Sequence, residues 1–324
     1  MGFVTGANAP RPIVIDVAVG VVFDPLGRVL LAQRRPGTHL QNLWEFPGGK
    51  ITAQESGEAA LIRELCEEVG IFPLKFRPLI EVTHAYDEKT VRLRVWRVDD
   101  FAGVARGCEG QLIKWVLPQD LHEWPMPAAD YPIVTAISLP DHYLITPEPG
   151  LDEAEFLRRL DASLARGIRL VQLRGKTIEP AQRRVLWSKA RQVCAKWNAQ
   201  VLINSDWELA RELGAAGVHL TSAQLGQLRE RPLPSSFYVA ASCHNEVDME
   251  RARCLQVDFA VLGPVAQTST HPDQAPLGWN RFAQLLVMAP FPVYALGGLH
   301  PRDVSTAWTH GGQGIAAIST LWCE

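Results

Sequence analysis

Three glutamates, Glu64, Glu67 and Glu68, follow one another at spacings of three and four residues, which on a helix places their carboxylates on one face. Like charges at these spacings repel, by roughly a few tenths of a kcal/mol per pair on a solvated helix. The arrangement becomes favourable when a divalent cation sits among the acids, or when a basic neighbour such as Arg63 offsets them. Oxygen-only ligation of this kind suits the hard cations Mg²⁺ or Mn²⁺ rather than zinc.

The helix that must carry these acids has readable ends. Ser56 is placed to cap its start, Ala59, Ala60, Leu61, Ile62 and Leu65 give it propensity and an apolar stripe, and Gly70 supplies a left-handed stop. Ahead of it, Pro47, Gly48 and Gly49 predict a tight loop whose backbone carbonyls can face a metal.

This run resembles the Nudix box: Gly, five residues, Glu, seven residues, Arg-Glu, an apolar residue, any residue, Glu-Glu, any residue, Gly, apolar. Gly49, Glu55, Arg63, Glu64, Leu65, Glu67, Glu68, Gly70 and Ile71 fill every defined position. The resemblance implies an α/β/α sandwich on a mixed sheet and a hydrolase that cuts a nucleoside triphosphate to a monophosphate and pyrophosphate. It also implies Mg²⁺, or Mn²⁺, held by Gly48, Glu64, Glu67 and Glu68. Arg63 would orient the carboxylates, and Glu67 or Glu68 would double as general base.

The flanks look most like the MutT type, which hydrolyses oxidised guanine nucleotides such as 8-oxo-dGTP, over about residues 13–138. Trp44 to Lys50 (WEFPGGK) and Cys108 to Gln111 (CEGQ) carry that likeness. Glu109 matches the position of an additional acidic residue near the metal, and Arg34, Arg35, Glu45, Phe46 and Asp130 are the implied substrate contacts. The MutT type ends in Pro-Ala-Asn and a further Pro, whereas Pro127-Ala128-Ala129-Asp130 precedes Tyr131-Pro132 here. A carboxylate at that position accepts from a base but does not also donate as an amide does, unless a dry pocket keeps it protonated.

With 324 residues and 47% hydrophobic content, two domains with sizeable cores are expected, 1–140 and 141–324. A net charge of −3 gives no global field that would favour nucleic acid or membrane partners. The six cysteines form no CxxC pair, and no long apolar run or leader-like segment is present, so a reducing, cytoplasmic setting is expected. Oligomeric state is left open. In the first half, Ile13 to Phe23 and Arg28 to Arg34 read as strands joined by a turn at Asp24-Pro25-Leu26-Gly27; further strands follow the box, with a polar break at Asp87-Glu88-Lys89. Short helical segments are expected over PQDLHEW and DYPIVTAISL.

From Tyr143 onward the pattern changes to short apolar runs alternating with helical segments, eight strand candidates in all, which argues for a (β/α)8 TIM barrel. Its chemistry belongs at the carboxyl ends of the strands, where Gln172, Arg174, Lys176, Asn204, His219, His244, Gly297, Gly298 and Ser319 fall. Gly297, Gly298 and Ser319 lie where backbone N–H groups commonly hold phosphate.

VQLRGK, LINSD, GVHL, SCHN, LGPV and ALGG resemble, in order, the motifs of the thiamine-phosphate synthase and TenI family. The resemblance implies a thiamine-pathway phosphate ligand held by residues such as Arg174, Lys176 and Asn204. Several functional positions depart from the synthase. Gly175 stands for a Glu, Ser205 for an Asp, Gln224 for a metal-binding Asp, and Thr270-His271 for Thr-Lys. Loss of both metal carboxylates implies a barrel without full synthase activity, unless Asp206 substitutes. His244 matches the histidine that the TenI branch uses for proton shuffling on a thiazole phosphate, so a tautomerase or a non-catalytic sensor remains. With such a barrel, thiamine diphosphate or a damaged analogue is the alternative substrate of the first half.

Overall fold

A computed structural model of the chain describes residues 14–38, 40–86, 89–150, 152–268, 275–287 and 289–323. The Asp87-Glu88 break and the Thr270-His271 pair lie outside the described residues.

Strand β1 (Val14–Val22) shows the two-residue period that decides the layering. Ala18 and Val22 pack beneath helix α1 (Gly57–Val69), while Val19 and Val21 face the opposite layer. Gly20 lies directly under the helix, where the Leu65 methyls stand 3.0 Å from the site of a Cβ. Leu61 and Leu65 are fully buried there, each contributing roughly 1.5–3 kcal/mol of burial.

Strands β4 (Gly48–Lys50), β1, β6 (Thr90–Gly103) and β5 (Ile71–Ala85) hydrogen-bond in that order into a mixed sheet. β1 runs parallel to β6 and antiparallel to β4. A second, antiparallel sheet holds β3 (Trp44–Glu45), β2 (Val29–Gln33) and β7 (Ile113–Val116). The turn at Asp24 forms as expected, its Oδ1 accepting from the N–H groups of Leu26 at 3.0 Å and Arg28 at 2.8 Å. It nevertheless joins strands of different sheets, because both edges of β1 are already taken by β4 and β6. Two 3-10 turns, Pro118–Glu123 and Ala128–Asp130, lead to α2 (Tyr131–Ser138), whose Ile133 and Ala136 close the far layer.

All eight expected strands of the second half are present: β8 (His142–Ile145), β9 (Leu170–Leu173), β10 (Gln200–Asn204), β11 (Gly217–Leu220), β12 (Tyr238–Cys243), β13 (Phe259–Leu262), β14 (Val293–Leu296) and β15 (Gly314–Ala317). They are parallel and close into a barrel. Outside it lie α3 (Glu153–Ala165), α4 (Pro180–Lys196), α5 (Trp207–Glu212), α6 (Ser222–Gln227), α7 (Glu246–Cys254), α8 (Gly278–Leu286) and α9 (Val304–Thr309). Tyr143, Phe259 and Tyr294 fill the barrel axis with ring centroids 5.6 to 5.8 Å apart, and alternate residues such as Leu144 and Val171 face the helices. No helix among the described residues is long and apolar enough to cross a membrane.

The halves meet where α2 runs into β8. Gln313, 2% exposed, donates Nε2 to the carbonyls of Ala136 at 3.0 Å and Leu139 at 2.9 Å, and the Tyr294 hydroxyl donates to the Pro140 carbonyl at 2.5 Å. Arg77 pairs with Asp141 at 3.1 Å and lies over the Trp308 ring at 3.8 Å. Leaving those buried carbonyls without a donor is costly, so Gln313→Leu should destabilise the protein by about 2 kcal/mol. Urea unfolding checks this; an unchanged midpoint would show that the two bonds add nothing net.

Candidate active site and barrel mouth

Helix α1 begins and ends at the predicted caps, with Ser56 Oγ accepting from Ala59 N–H at 3.1 Å and Gly70 at φ 69° donating to the Leu65 carbonyl. Arg63 gathers the surrounding acids. Its Nη2 donates to Glu55 Oε1 at 2.7 Å and to the Lys50 carbonyl at 3.1 Å, and its Nη1 reaches Glu64 Oε1 at 2.7 Å and Glu67 Oε2 at 3.2 Å. The hydrogen bonds from Arg63, aided by the Thr52 N–H, draw Glu55 down to about 2. Glu64 lies so close to Gly49 that a Cβ there would fall 2.3 Å from its carboxyl, which explains the glycine. Gly48 is equally constrained, since a Cβ at its φ of 156° would meet the Ala18 carbonyl at 2.1 Å. The expected loop at Gly48-Gly49 is thus a short strand pressed onto β1.

Glu68 leaves the Arg63 cluster and turns to the sheet, its Oε2 accepting from Gly48 N–H at 2.8 Å. Burial, reinforced by the carboxylates of Glu45 and Glu109, lifts Glu68 to about 7 against the pull of that N–H. Gln111 ties the neighbouring loop to the helix end, donating Nε2 to the Glu68 carbonyl and accepting from Glu109 N–H, both at 2.9 Å. The Glu109 side chain is exposed and pairs with Arg35 at 3.0 Å.

The three helix acids are therefore not converged. Glu67, with 59% of its side chain exposed, stays on the Arg63 side, and no group of three or more acidic, histidine or cysteine residues among those described is gathered as a ready metal site. The donor set still suits a hard cation. Glu68 is held near neutrality by burial and by like charges, a repulsion that a divalent ion would relieve.

Beside these acids opens a cleft of about 290 Å³, floored by Val17, Val19, Val91 and Leu93 and walled by Arg34, Glu45, Phe46, Tyr86 and Asp130. Arg34 pairs with Glu45, whose carboxyl is nonetheless raised by burial. Asp130 is 6% exposed, and its buried Oδ2 has no hydrogen-bond partner among the described residues. Burial, then the Glu45 carboxylate, holds Asp130 well above the usual carboxylate range despite Arg34. The shift favours the protonated form, which carries one O–H donor and one carbonyl acceptor, the pattern of an amide. Tyr86 is a lining residue that the sequence did not signal, because a tyrosine at a strand end carries no motif.

At the barrel mouth, Gln172 donates to Asn204 Oδ1 at 2.8 Å, and Asn204 donates to Ser205 Oγ at 3.2 Å. Arg174 pairs with Glu148 at 3.3 Å, and the same carboxylate accepts from Lys176 N–H at 2.9 Å and Thr177 Oγ1 at 3.1 Å. Of the side chains expected to meet a phosphate, Arg174 is thus engaged by the chain's own Glu148, whereas Lys176 meets it through its backbone N–H. Gly297 and Gly298 have φ of 98° and 67°, and a Cβ on either would strike Pro264 or the Gln267 carbonyl; Ser319 is exposed after β15.

His244 is exposed and donates Nδ1 to the Gly263 carbonyl at 2.7 Å, which leaves the lone pair on Nε2 in the neutral ring. Asp206 does not replace the missing carboxylates as a presented ligand: it caps α5 through Leu209 N–H and pairs with Arg183. Gln224 completes the α6 capping box with Thr221. His219 requires a correction. It is 1% exposed inside the barrel, within 2.9 Å of both the Tyr143 hydroxyl and Ser242 Oγ, and burial drives it down to about 3. Strand alternation turns it inward rather than toward the mouth.

The family model described as NUDIX domain matches residues 18–136, and the one described as thiamine monophosphate synthase matches residues 142–321. The chain belongs to both families. Over 118 residues it is 34% identical to CTP pyrophosphohydrolase of Escherichia coli (strain K12), covering 36% of this chain and 87% of that protein. The 8-oxo-dGTP diphosphatase of the same strain is 32% identical over 123 residues, 38% of this chain and 95% of that one. Thiamine-phosphate synthase of Fusobacterium nucleatum is 26% identical over 183 residues, 56% of this chain and 89% of that one.

In the Nudix half the state of Asp130 has a thermodynamic consequence. With its folded value raised above the unfolded one, near ~3.9, the stability contributed by this residue falls as pH rises through that unfolded value. Asp130→Asn, which cannot ionise, should melt above the native protein at pH 7, with the gap closing toward pH 4. Circular-dichroism melts at both values decide it, since a gap independent of pH means Asp130 is ionised in the fold.

Proposed function

We propose that the Nudix half is a Mg²⁺-dependent nucleoside triphosphate pyrophosphohydrolase that converts 8-oxo-dGTP to 8-oxo-dGMP and pyrophosphate, a nucleotide-pool sanitation activity. The barrel, dividing from it at residues 140 and 141, is proposed to bind a thiamine-pathway phosphate without full synthase activity. The observation that carries the first reading is the pairing of an acid-rich helix face with a cleft whose wall holds the buried Asp130, its Oδ2 without a hydrogen-bond partner among the described residues.

Gly48, through its carbonyl, and Glu64, Glu67, Glu68 and Glu109 would hold Mg²⁺ or Mn²⁺. When bound, the ion supplies charge neutralisation of the polyphosphate and acidification of the attacking water. Arg63 keeps Glu64 and Glu55 in place by its fork of hydrogen bonds. Glu68 accepts the water proton in this reading, because it lies against Gly48 in the cleft wall while Glu67 is exposed and tied to Arg63. Asp130 donates its O–H to a ring carbonyl and accepts from a ring N–H, Glu45 accepts a second N–H, Phe46 bounds the base site, and Arg34 and Arg35 face the phosphates or the base.

Asp130 also favours a second reading. In its protonated form, which burial favours, Asp130 matches cytosine, accepting from the exocyclic amino group and donating to the ring nitrogen, and one relative is named a CTP pyrophosphohydrolase. Thiamine diphosphate remains the third candidate because of the fused barrel. For the barrel, the lost carboxylates, Ser205 and Gln224 standing in their places, support binding over synthesis.

Pyrophosphate release by the full chain should need Mg²⁺ and stop with EDTA, and Glu68→Gln should lower kcat by about 10³ with an unchanged melting temperature. Survival of wild-type turnover in that variant removes Glu68 from the mechanism. Among 8-oxo-dGTP, CTP and thiamine diphosphate, the highest kcat/KM is expected for 8-oxo-dGTP; a tenfold preference for either competitor replaces this reading with its own.

Thiamine phosphate should raise the melting temperature without turnover. Formation of thiamine phosphate from its two halves at an enzyme's rate contradicts the binding role. Tautomerisation of a thiazole phosphate that is lost in His244→Ala would instead make the barrel an enzyme.

A further inference from the structure

A second cleft, of about 720 Å³, lies between the two halves and shares no lining residue with the nucleotide cleft. One wall comes from β5 and β6, which contribute Lys75, Arg77 and Arg97. The facing wall is the rim of the barrel where strands begin: Arg169 immediately precedes β9 and Gln313 immediately precedes β15. This is the end opposite the carboxyl ends of the strands, so the cleft is not the barrel's own ligand mouth.

Its charge is unbalanced. Asp99 is taken by Arg97 at 2.6 Å and Asp141 by Arg77 at 3.1 Å, while Lys75 and Arg169 have no carboxylate in ion-pair range among the described residues. Arg169 is fixed instead by the carbonyls of Leu164 at 2.9 Å and Ile168 at 2.8 Å, which orient the guanidinium without neutralising it. Arg77 is pinned against Trp308, and burial together with the like charge of Arg97 works against its protonation, so a further positive neighbour is unwelcome there. Two surplus positive charges in one concavity focus a field that favours an anion, and guanidinium forks match phosphate oxygens. The volume suits one small molecule rather than a polymer.

We propose that the junction cleft binds a small anion bearing two or more phosphates, anchored by Lys75 and Arg77 from the Nudix half and Arg169 from the barrel. Because its anchors come from both halves, the bound anion fastens one to the other. Inorganic pyrophosphate and a free nucleoside diphosphate share this chemistry.

Calorimetric titration of the full chain in EDTA, which keeps the acidic site from taking up phosphate through a cation, tests the assignment with pyrophosphate and ADP as separate probes. One saturable site is expected for at least one probe, weakening as salt rises, at least tenfold weaker in the Lys75→Gln/Arg169→Gln double variant and unchanged in Glu68→Gln. Binding of pyrophosphate alone supports an inorganic ligand, and tighter binding of ADP supports a nucleotide. Lys75→Gln alone alters an exposed side chain, so it should fold, keep hydrolase turnover and bind at least threefold more weakly even if the Arg169 change unfolds the barrel. Absence of saturable binding at millimolar probe, or equal affinity in Lys75→Gln and the native chain, overturns the proposal.

Discussion

Carboxylates that repel one another share a helix face at less cost when something positive stands among them, and in this chain that is Arg63. Its guanidinium holds Glu55, Glu64 and Glu67 together with the Lys50 carbonyl, thereby fastening α1, the segment before it and β4 in one register. The two glycines of that strand follow from the same packing, since one borders the Glu64 carboxyl and the other the β1 backbone. A planar fork is suited to so many oxygens at once, whereas a lysine would meet them as a point charge.

Three further acids lie beyond the reach of Arg63, and each is accommodated differently. Glu45 has Arg34, Glu68 has the Gly48 N–H, and Asp130, raised well above the usual carboxylate range by burial, is pushed toward its protonated form. These differences follow from depth: the more completely a carboxyl is withdrawn from water, the less one neighbouring charge can compensate. The functional reading depends on this gradient, because it sets an acid-rich helix face beside a cleft wall whose buried carboxyl is pushed toward its protonated form.

The barrel shows the opposite economy of charge. Its strand ends carry the expected polar residues, but Glu148 engages Arg174, Lys176 and Thr177, and Asp206 and Gln224 secure the starts of helices. A fold can thus keep its family's frame while its polar groups turn to holding loops. At the other end of the same barrel, Gln313 and Tyr294 reach the segment that leaves the Nudix half, so the strands that form the barrel also seat its neighbour.

Local pattern determined much of this by itself. The spacing of Gly49, Glu55, Arg63, Glu64, Glu67 and Glu68, the caps Ser56 and Gly70, and the eight apolar runs of the second half were all legible, because caps and periodicity depend on neighbours a few residues apart. Only the tertiary structure decided which carboxylate faces which partner. It separated Glu67 from Glu68, turned His219 into the barrel, parted β1 and β2 into different sheets, and buried Asp130 in the cleft wall. The reason is physical: protonation state, side-chain partner and strand partner are set by dielectric and by groups distant in the chain, which no window of sequence contains.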